Sequence, residues 1–568
     1  MKFTDVIAHS IKANEVKCVF GLQGGAVVHI FDSLERLNVP VVYTHHESSA
    51  SFAAAANAKS SNCLGCAVVT TGPGATNAIT GLMGAWQDSV PCIFLSGQVR
   101  SNHMSYGKPV RQVGSQEVNI IDVVKPLTKY SKVIINPDSI QEEINKAIKI
   151  AISGRPGPVW LDLPLEFQWS DVKFEESKCK KVLPKVSRLD FDEDLNLFTK
   201  YLEESKSPLF VLGYGCILSG MQKKIKNFIE ENDFRCVTTW TAGGIFSTKS
   251  KNNLGIIGMS GQPGANKAVF SSDLLIALGT HLSIPHTTTL TDSYAPKAKK
   301  IFVNIDKDQL DHLNLRADLK IHADLRQFIN KLVNKIFKTK KYRNIDQFKK
   351  LNIKKPRKTK RFVDPNMFFR KLTEKISNED GIIIDGGGTA LYTGFQASDI
   401  KEDQKIICSS AISSMGTGLA ETIGSYMSKE FRTLYCIIGD GSTLMNIQDL
   451  QSISDMKIPC VICVINNNGY LAIRHTQQGF LENRYYGTHP DWKLGIVDFK
   501  DAAKAFKLQY FKLDENKQID SMCKKVLNTK KPILLEVLVS ENQPALFSQQ
   551  YVKNKDGTST PKSLEYMK

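Results

Sequence analysis

The sequence predicts an α/β protein built from three doubly wound parallel-sheet domains. Three observations lead there. Short apolar runs alternate with helix-length segments along most of the 568 residues, the pattern of strands joined by crossover helices. The runs fall into three groups divided by polar or charged stretches. The length suits three or four domains of the usual ~100–200 residues.

The first group, in residues 1–170, contains "CVFGL", "VPVVYTHHE", "GCAVVTTGPG", "VPCIFLSGQV" and "GPVWLDLP". A polar stretch from Glu175 to Leu189 follows. The second group, in residues 190–335, has "LFVLGYG", "CVTTW", "LLIALG" and "KIFVNID". The third, in residues 362–545, has "GIIIDGGG", "TLYCIIGDG", "CVICVINNN" and "PILLEVLV". The tail, residues 546–568, reads either as a disordered end or as a flap over a site.

Composition and charge disfavour several function classes. No apolar run reaches the ~18–20 residues of a membrane helix, and "MKFTDVIAHSIKANEVK" lacks the apolar core of a secretory signal. A cytoplasmic protein without a membrane partner is expected. The twelve cysteines are scattered, and Cys18, Cys436 and Cys460 sit in strand-like contexts that suit small buried hydrophobes in a reducing compartment. Two CxxC pairs exist, Cys63/Cys66 and Cys460/Cys463, but the second lies inside a strand, where alternate residues face opposite sides, so a zinc site is disfavoured. The net charge of +17 is local: residues 331–361 hold fourteen Lys or Arg against one acid, Asp346. That segment has no zinc or helix-turn-helix pattern and no repeated aromatic platform, so it reads as a solvated linker and not as a nucleic-acid site.

The stretch "IIGDGSTLMNIQDL" (437–450) ends an apolar strand on Gly-Asp-Gly and starts a helix. Alone this is a weak signal, because Asp-Gly marks ordinary turns. A second run, "IPCVICVI", also stops on polar residues, "NNNGY" (466–470). In doubly wound sheets ligands bind beyond the carboxyl ends of strands, where both motifs fall. Asp440 and an Asn about 28 positions later supply hard oxygen ligands of the kind Mg²⁺ takes together with phosphate oxygens. Gly439 and Gly441 let the backbone approach a phosphate, and Ser442 lies where a helix begins. The two elements read as a holder for a Mg-diphosphate.

At these residues the chain resembles a known family. "GDGSTLMNIQDL" followed by "NNNGYLAI" looks like the thiamin diphosphate signature, and the surrounding sequence is similar to the acetolactate synthase branch of that superfamily. The likeness runs through "VFGLQGGA", "HHESSASFAAAANA", "TTGPGATNAITGL", "QDSVPCIFLSGQV", "SQEVNIIDVVKPLTKY", "GMSGQPGANKAVFSSDLLIALG" and "SSMGTGLAETIG".

The resemblance implies a pyrimidine-binding first domain, a central domain of the FAD or nucleotide type and a diphosphate-binding third domain, with thiamin diphosphate and Mg²⁺ as cofactors. It implies that Asp440 and Asn468 bind the metal with the backbone carbonyl of Tyr470, aligning on "GYLAI". It implies that Glu47 is the carboxyl facing the aminopyrimidine. Pro73 and Asn77 then line the same pocket, although alone they can simply cap a helix. Met415, otherwise an ordinary core residue, becomes the wedge that bends the cofactor. Gly388 and Thr389 belong to the cofactor cradle. Gln116 and Lys129 match residues of the substrate wall. In relatives the glutamate and the diphosphate motif meet across a subunit interface, so a homodimer or a dimer of dimers is expected.

Departures from the family carry expectations too. Relatives place an Arg-rich loop after "LIALG" to meet the flavin diphosphate, but "THLSIPHTTT" (280–289) has no Arg, which leaves FAD open. Where acetolactate synthases carry an aromatic, this chain has Ser115 and Gln477. The expected activity is a carboligase that decarboxylates a 2-oxo acid, pyruvate first among them, and passes the two-carbon unit to a carbonyl acceptor. A keto-sugar acceptor would suit a pocket opened by Ser115 and Gln477, unless Phe480 fills the gap. The alternatives are a genuine acetolactate synthase or a non-ligating decarboxylase; a non-enzymatic homologue would not need Glu47, Asp440 and Asn468 together.

Overall fold

Three six-stranded sheets, every neighbouring pair of strands parallel, carry the chain. The computed structural model describes residues 1–568 apart from 186–187, 336, 338–341, 343, 353–360, 545 and 557. The expected basic linker, 331–361, lies partly outside the described residues.

The first sheet holds β1 (Val19–Gly21), β2 (Val41–Tyr43), β3 (Gly65–Val69), β4 (Cys92–Gln98), β5 (Tyr130–Val133) and β6 (Val159–Pro164), in the order β2-β1-β3-β4-β6-β5. The second holds β7 (Pro208–Leu212), β8 (Arg235–Thr238), β9 (Asn253–Ile256), β10 (Leu274–Leu278), β11 (Lys299–Asn304) and β12 (Leu319–His322), ordered β12-β11-β10-β7-β8-β9. The third holds β13 (Gly381–Ile384), β14 (Ile406–Ile407), β15 (Leu434–Gly439), β16 (Cys460–Asn466), β17 (Gln509–Leu513) and β18 (Ile533–Leu538), ordered β14-β13-β15-β16-β18-β17. The first and third sheets therefore share one strand order. Central strands such as β3, β4 and β10 are buried throughout, which is why their sequences are continuous apolar runs.

The first and third sheets meet through two helices, Glu47–Ser61 and Gly418–Met427. The composition of "ESSASFAAAANAKSS" explains the contact, because small side chains let two backbones approach. A Cβ on Gly424 would lie 2.1 Å from the Ala53 carbonyl oxygen. Asn57 Nδ2 donates to the Gly424 carbonyl at 3.0 Å, and the Ser60 and Ser425 hydroxyls bond at 3.1 Å.

The tail is ordered. It forms an antiparallel hairpin, β19 (Tyr551–Lys553) and β20 (Ser559–Pro561). Its Leu546, Phe547, Leu564 and Met567 are buried in the cluster that contains Val269 and Tyr294, so it docks on the second sheet's domain. Among the described residues, no helix is long and apolar enough to cross a membrane.

Candidate active site

The register of the third sheet builds the centre of the site. Gly439 of β15 pairs with Ile465 of β16, so Asp440 and the Asn run leave the sheet side by side. Asp440 opens the helix Asp440–Met445 and is 2 % exposed. Its Oδ2 accepts the N–H groups of Asn467 (3.1 Å) and Gly469 (2.9 Å), and its Oδ1 that of Gly441 (2.7 Å). Burial pushes its carboxyl up to about 6, against the pull of those three donors.

Three loops close around this carboxylate because glycines allow it. A Cβ on Gly386 would sit 2.3 Å from the Ser414 carbonyl oxygen, and one on Gly387 would sit 2.7 Å from both Met415 Cγ and Ser442 Oγ. At Gly441 a Cβ would lie 2.0 Å from the Tyr470 ring. Asp385, fully buried, ties two of the loops by accepting the N–H groups of Gly387 (3.1 Å), Thr417 (2.9 Å) and Gly418 (3.1 Å). Gly388, with φ +42°, begins the next helix, and Thr389 Oγ1 meets Asn467 Nδ2 at 3.3 Å.

The Asn run divides its tasks. Asn467 is 4 % exposed, and its Oδ1 is buried with no hydrogen-bond partner. Asn468 turns elsewhere: with φ +60°, its amide donates to Glu541 Oε1 at 2.6 Å. The Tyr470 carbonyl already accepts two N–H groups, from Ile473 (3.1 Å) and Arg474 (3.0 Å), whereas the Gly469 carbonyl accepts that of Leu471 (3.1 Å). Sequence reading missed Arg474. Its buried guanidinium donates to the carbonyls of Asn467 (2.7 Å), Asn468 (3.0 Å) and Thr488 (2.7 Å), fixing the loop from behind.

The first sheet supplies a second cluster. Glu47 is 7 % exposed and opens its helix, whose N-terminus is capped when Ser48 N–H donates to His46 Nδ1 at 3.1 Å. Asn77 Nδ2 donates to Glu47 Oε2 at 3.0 Å, and a Cβ on Gly74 would stand 3.3 Å from Oε1. Glu47 thus rests against the short helix Pro73–Asn77. Gly72, just before that helix, has φ +61°, and a Cβ there would lie 2.2 Å from the Gln116 carbonyl oxygen, so Gln116 joins the cluster.

Two expected pocket residues are engaged in hydrogen bonds within the chain. Lys129 directs its ammonium to the carbonyls of Ile150 and Ser153, both at 2.5 Å, at the C-terminal end of the helix Ile140–Ile152. It is committed to capping that helix, where a cation is favoured, although burial brings it down to about 8. Gln477, expected to line an open acceptor pocket, is 8 % exposed and used at both ends: Nε2 donates to the Tyr486 carbonyl at 3.0 Å, and Oε1 accepts from Thr488 Oγ1 at 2.6 Å. Phe480 does not fill the gap either, being 66 % exposed. Ser115 is exposed.

A separate cavity of about 530 Å³ opens at the carboxyl ends of the second sheet, where the strand order reverses between β7 and β10. His281 and His286 are on its wall, and burial brings them down to about 4 and about 3, so both are neutral near pH 7. Among the described residues, each cation on the wall is already paired: Lys59 with Asp88 (2.7 Å), Arg155 with Asp306 (3.0 Å), Lys181 with Glu15 (2.6 Å) and Arg326 with Asp324 (2.5 Å).

Comparison with known proteins agrees with this division of the chain. Residues 1–123 match the family profile described as thiamine pyrophosphate enzyme, N-terminal TPP binding domain. Residues 195–332 match the central domain of the same enzymes, and 386–537 the C-terminal TPP binding domain. The chain is 31 % identical to a probable acetolactate synthase large subunit of Methanocaldococcus jannaschii, over 95 % of this chain and 92 % of that protein. It is 30 % identical to the acetolactate synthase large subunit of Porphyra purpurea, over 94 % and 91 %, and 29 % identical to the chloroplastic acetolactate synthase 1 of Zea mays, over 96 % and 86 %. Three parallel-sheet domains and likeness along nearly the whole chain lead to one conclusion: the chain belongs to the thiamine pyrophosphate enzyme family, in its acetolactate synthase-like branch, and is a thiamin diphosphate-dependent acyl or aldehyde transferase.

Proposed function

We propose that this enzyme uses Mg²⁺ with thiamin diphosphate to decarboxylate a 2-oxo acid, pyruvate first among them, and to join the two-carbon unit to a second small 2-oxo acid. The observation that carries the cofactor half is the unpartnered, buried Oδ1 of Asn467 beside Asp440, inside a cradle whose glycines leave no room for a Cβ. An orphaned buried oxygen of this kind is costly unless something binds it, and a hard cation is what an Asp–Asn oxygen pair suits. We therefore assign Asp440, the Asn467 side chain and the Gly469 carbonyl to the metal, in place of Asn468 and Tyr470. When bound, thiamin diphosphate supplies the carbanion-stabilising chemistry itself. Glu47 holds or passes a proton at Oε1 while Asn77 fixes Oε2, and Met415, beside Gly387, shapes the wall of the cradle. Among the described residues Glu47 hydrogen-bonds Asn77 and no group of the third sheet's domain. The resemblance to the family, in which the two halves of the site meet across a subunit interface, is what supports assembly of the complete site between two copies of the chain.

The acceptor reading follows from Gln477. Its internal hydrogen bonds remove half of the argument for a bulky, hydroxylated acceptor, and the printed names of the relatives favour acetolactate formation. Mass spectrometry of products from enzyme, cofactors, pyruvate and a panel of acceptors tests this reading. Acetolactate should dominate; condensation onto a keto-sugar in its place would overturn it. Gln477→Trp should act as an overpacking change worth ~1–3 kcal/mol, lowering Tm without altering acceptor choice. A shift in acceptor preference at unchanged Tm would restore the open pocket.

The cavity of the second sheet does not fit FAD. A flavin's diphosphate needs counter-charge, and every cation among the described residues of that wall is paired with a carboxylate. Protein purified with added thiamin diphosphate should therefore lack stoichiometric flavin absorbance. A flavin-to-protein ratio near one would show that these ion pairs open to receive it.

A further inference from the structure

Behind Glu47 and Gln116 lies a chain of buried polar groups with no part in the mechanism above. Asp162 on β6 and Ser96 on β4 have no exposed surface, and Gln98, the last residue of β4, is 1 % exposed. Asp162 Oδ1 accepts from Ser96 Oγ at 2.5 Å, and Ser96 in turn accepts from Trp160 Nε1 at 2.8 Å. Asp162 Oδ2 accepts from Gln98 Nε2 at 2.9 Å. Burial pushes the Asp162 carboxyl up to about 7, against the pull of Ser96 and Gln98, so these two donors are what a buried carboxylate there requires.

Gln98 is saturated. Its Nε2 also donates to the Val118 carbonyl at 2.9 Å, and its Oε1 accepts from Thr71 Oγ1 and Val99 N–H, both at 2.9 Å. A flipped amide would set its NH2 against the Val99 N–H and its oxygen against the Val118 carbonyl and the Asp162 carboxylate. Asp162, with these two backbone groups, therefore fixes which way the amide faces. Through it β6 is tied both to the turn before the helix Pro73–Asn77, which holds Glu47, and to the loop that carries Gln116. The two loops also touch: Thr71 Oγ1 lies 3.3 Å from the Gln116 carbonyl oxygen, and Gln116 is held in the left-handed region at φ +61°. Such a conformation persists only where its surroundings over-determine it.

We propose that Asp162 and Gln98 are positioning residues, which act through one buried amide to set the turn 71–72 and the loop 116–118 in the arrangement that presents Glu47 and Gln116 to cofactor and substrate. This rests on the roles given to those two residues above.

Gln98→Met tests it, keeping the side chain's length and removing its hydrogen bonds. Amide hydrogen exchange, thiamin diphosphate affinity, Tm and the steady-state constants with pyruvate are measured on the full chain. Exchange should quicken by about tenfold, a loss of hydrogen bonding of ordinary size, in residues 71–78 and 112–119, while β3, β4 and β6 stay protected. KM for pyruvate should rise more than kcat falls, with cofactor affinity kept. Thr71→Val, which removes only one hydroxyl of the bridge, should give the same pattern at smaller size. Unchanged exchange in both segments, or an equal loss of protection across the whole first sheet, would overturn the proposal. If wild-type enzyme fails to consume pyruvate, the functional reading falls by itself, and the exchange pattern still decides the positioning role.

Discussion

Glu47→Gln should lower kcat by about 10²–10⁴-fold, the usual contribution of a positioned acid or base, while thiamin diphosphate still binds. The amide has the shape of the carboxyl it replaces. One of its ends can still accept the hydrogen bond from Asn77 Nδ2, and the site lies at the first turn of a helix whose N-terminus His46 already caps, so the fold has little to lose. What disappears is the ability to take and return a proton at Oε1. Cofactor affinity by fluorescence titration and kcat from pyruvate consumption separate the two effects. A variant that keeps more than about a tenth of wild-type kcat would remove Glu47 from the proton path, since even the weakest contribution of this kind is larger. A variant that loses cofactor binding and turnover together would show that Glu47 acts in binding instead.

How much of this was legible in the sequence depends on where each residue sits in its sheet. Every central strand announced itself as an apolar run, several of them ending in Gly, Asp or Asn. Within the three six-stranded sheets, the five strands that the reading passed over, β5, β9, β12, β14 and β17, are all edge strands. An edge strand is paired along one side only and is often kept short or polar. β17, "QYFKL", has a single buried residue, β14 is two residues long, and β9 contains Asn and Gly. The shared strand order of the first and third sheets was equally invisible, because the two domains hold different functional loops and no sequence repeat marks the order.

The site was legible as chemistry and less so as register. Gly-Asp-Gly at a strand end, taken together with the asparagine run that ends the neighbouring strand, pointed to Asp440, and the sheet register does bring the two strand ends side by side. Three consecutive asparagines do not carry their own register; aligning on "GYLAI" selects Asn468, whereas the assignment proposed above selects Asn467. Only the folded loop separates them: Asn467 keeps a buried oxygen without a hydrogen-bond partner, while Asn468 adopts φ +60° and reaches Glu541. Lys129 and Gln477 could not have been judged from the chain either, since what occupies them are backbone carbonyls and a threonine hydroxyl brought close by helix packing and loop return.

Asn467→Ala and Asn468→Gly should separate these neighbours by their effect on the metal. Loss of an outer-shell partner alone weakens metal binding by about 10–100-fold, so removal of a direct ligand at Asn467 should weaken Mg²⁺ by at least that much and thiamin diphosphate with it. The two fall together because the metal neutralises the diphosphate that the cradle receives. Asn468→Gly is the matched control: glycine accepts φ +60° without strain and removes only the amide bonded to Glu541, so Mg²⁺ affinity should stay within about threefold, a loss of less than one ordinary hydrogen bond. Asp440→Ala should match Asn467→Ala in direction, and it removes the acceptor of three backbone N–H groups as well, so its Tm should also fall. Isothermal titration of Mg²⁺ in the presence of saturating thiamin diphosphate reads all three variants. If Asn468→Gly weakens the metal and Asn467→Ala does not, the ligand is Asn468, and the free oxygen of Asn467 must find its partner elsewhere.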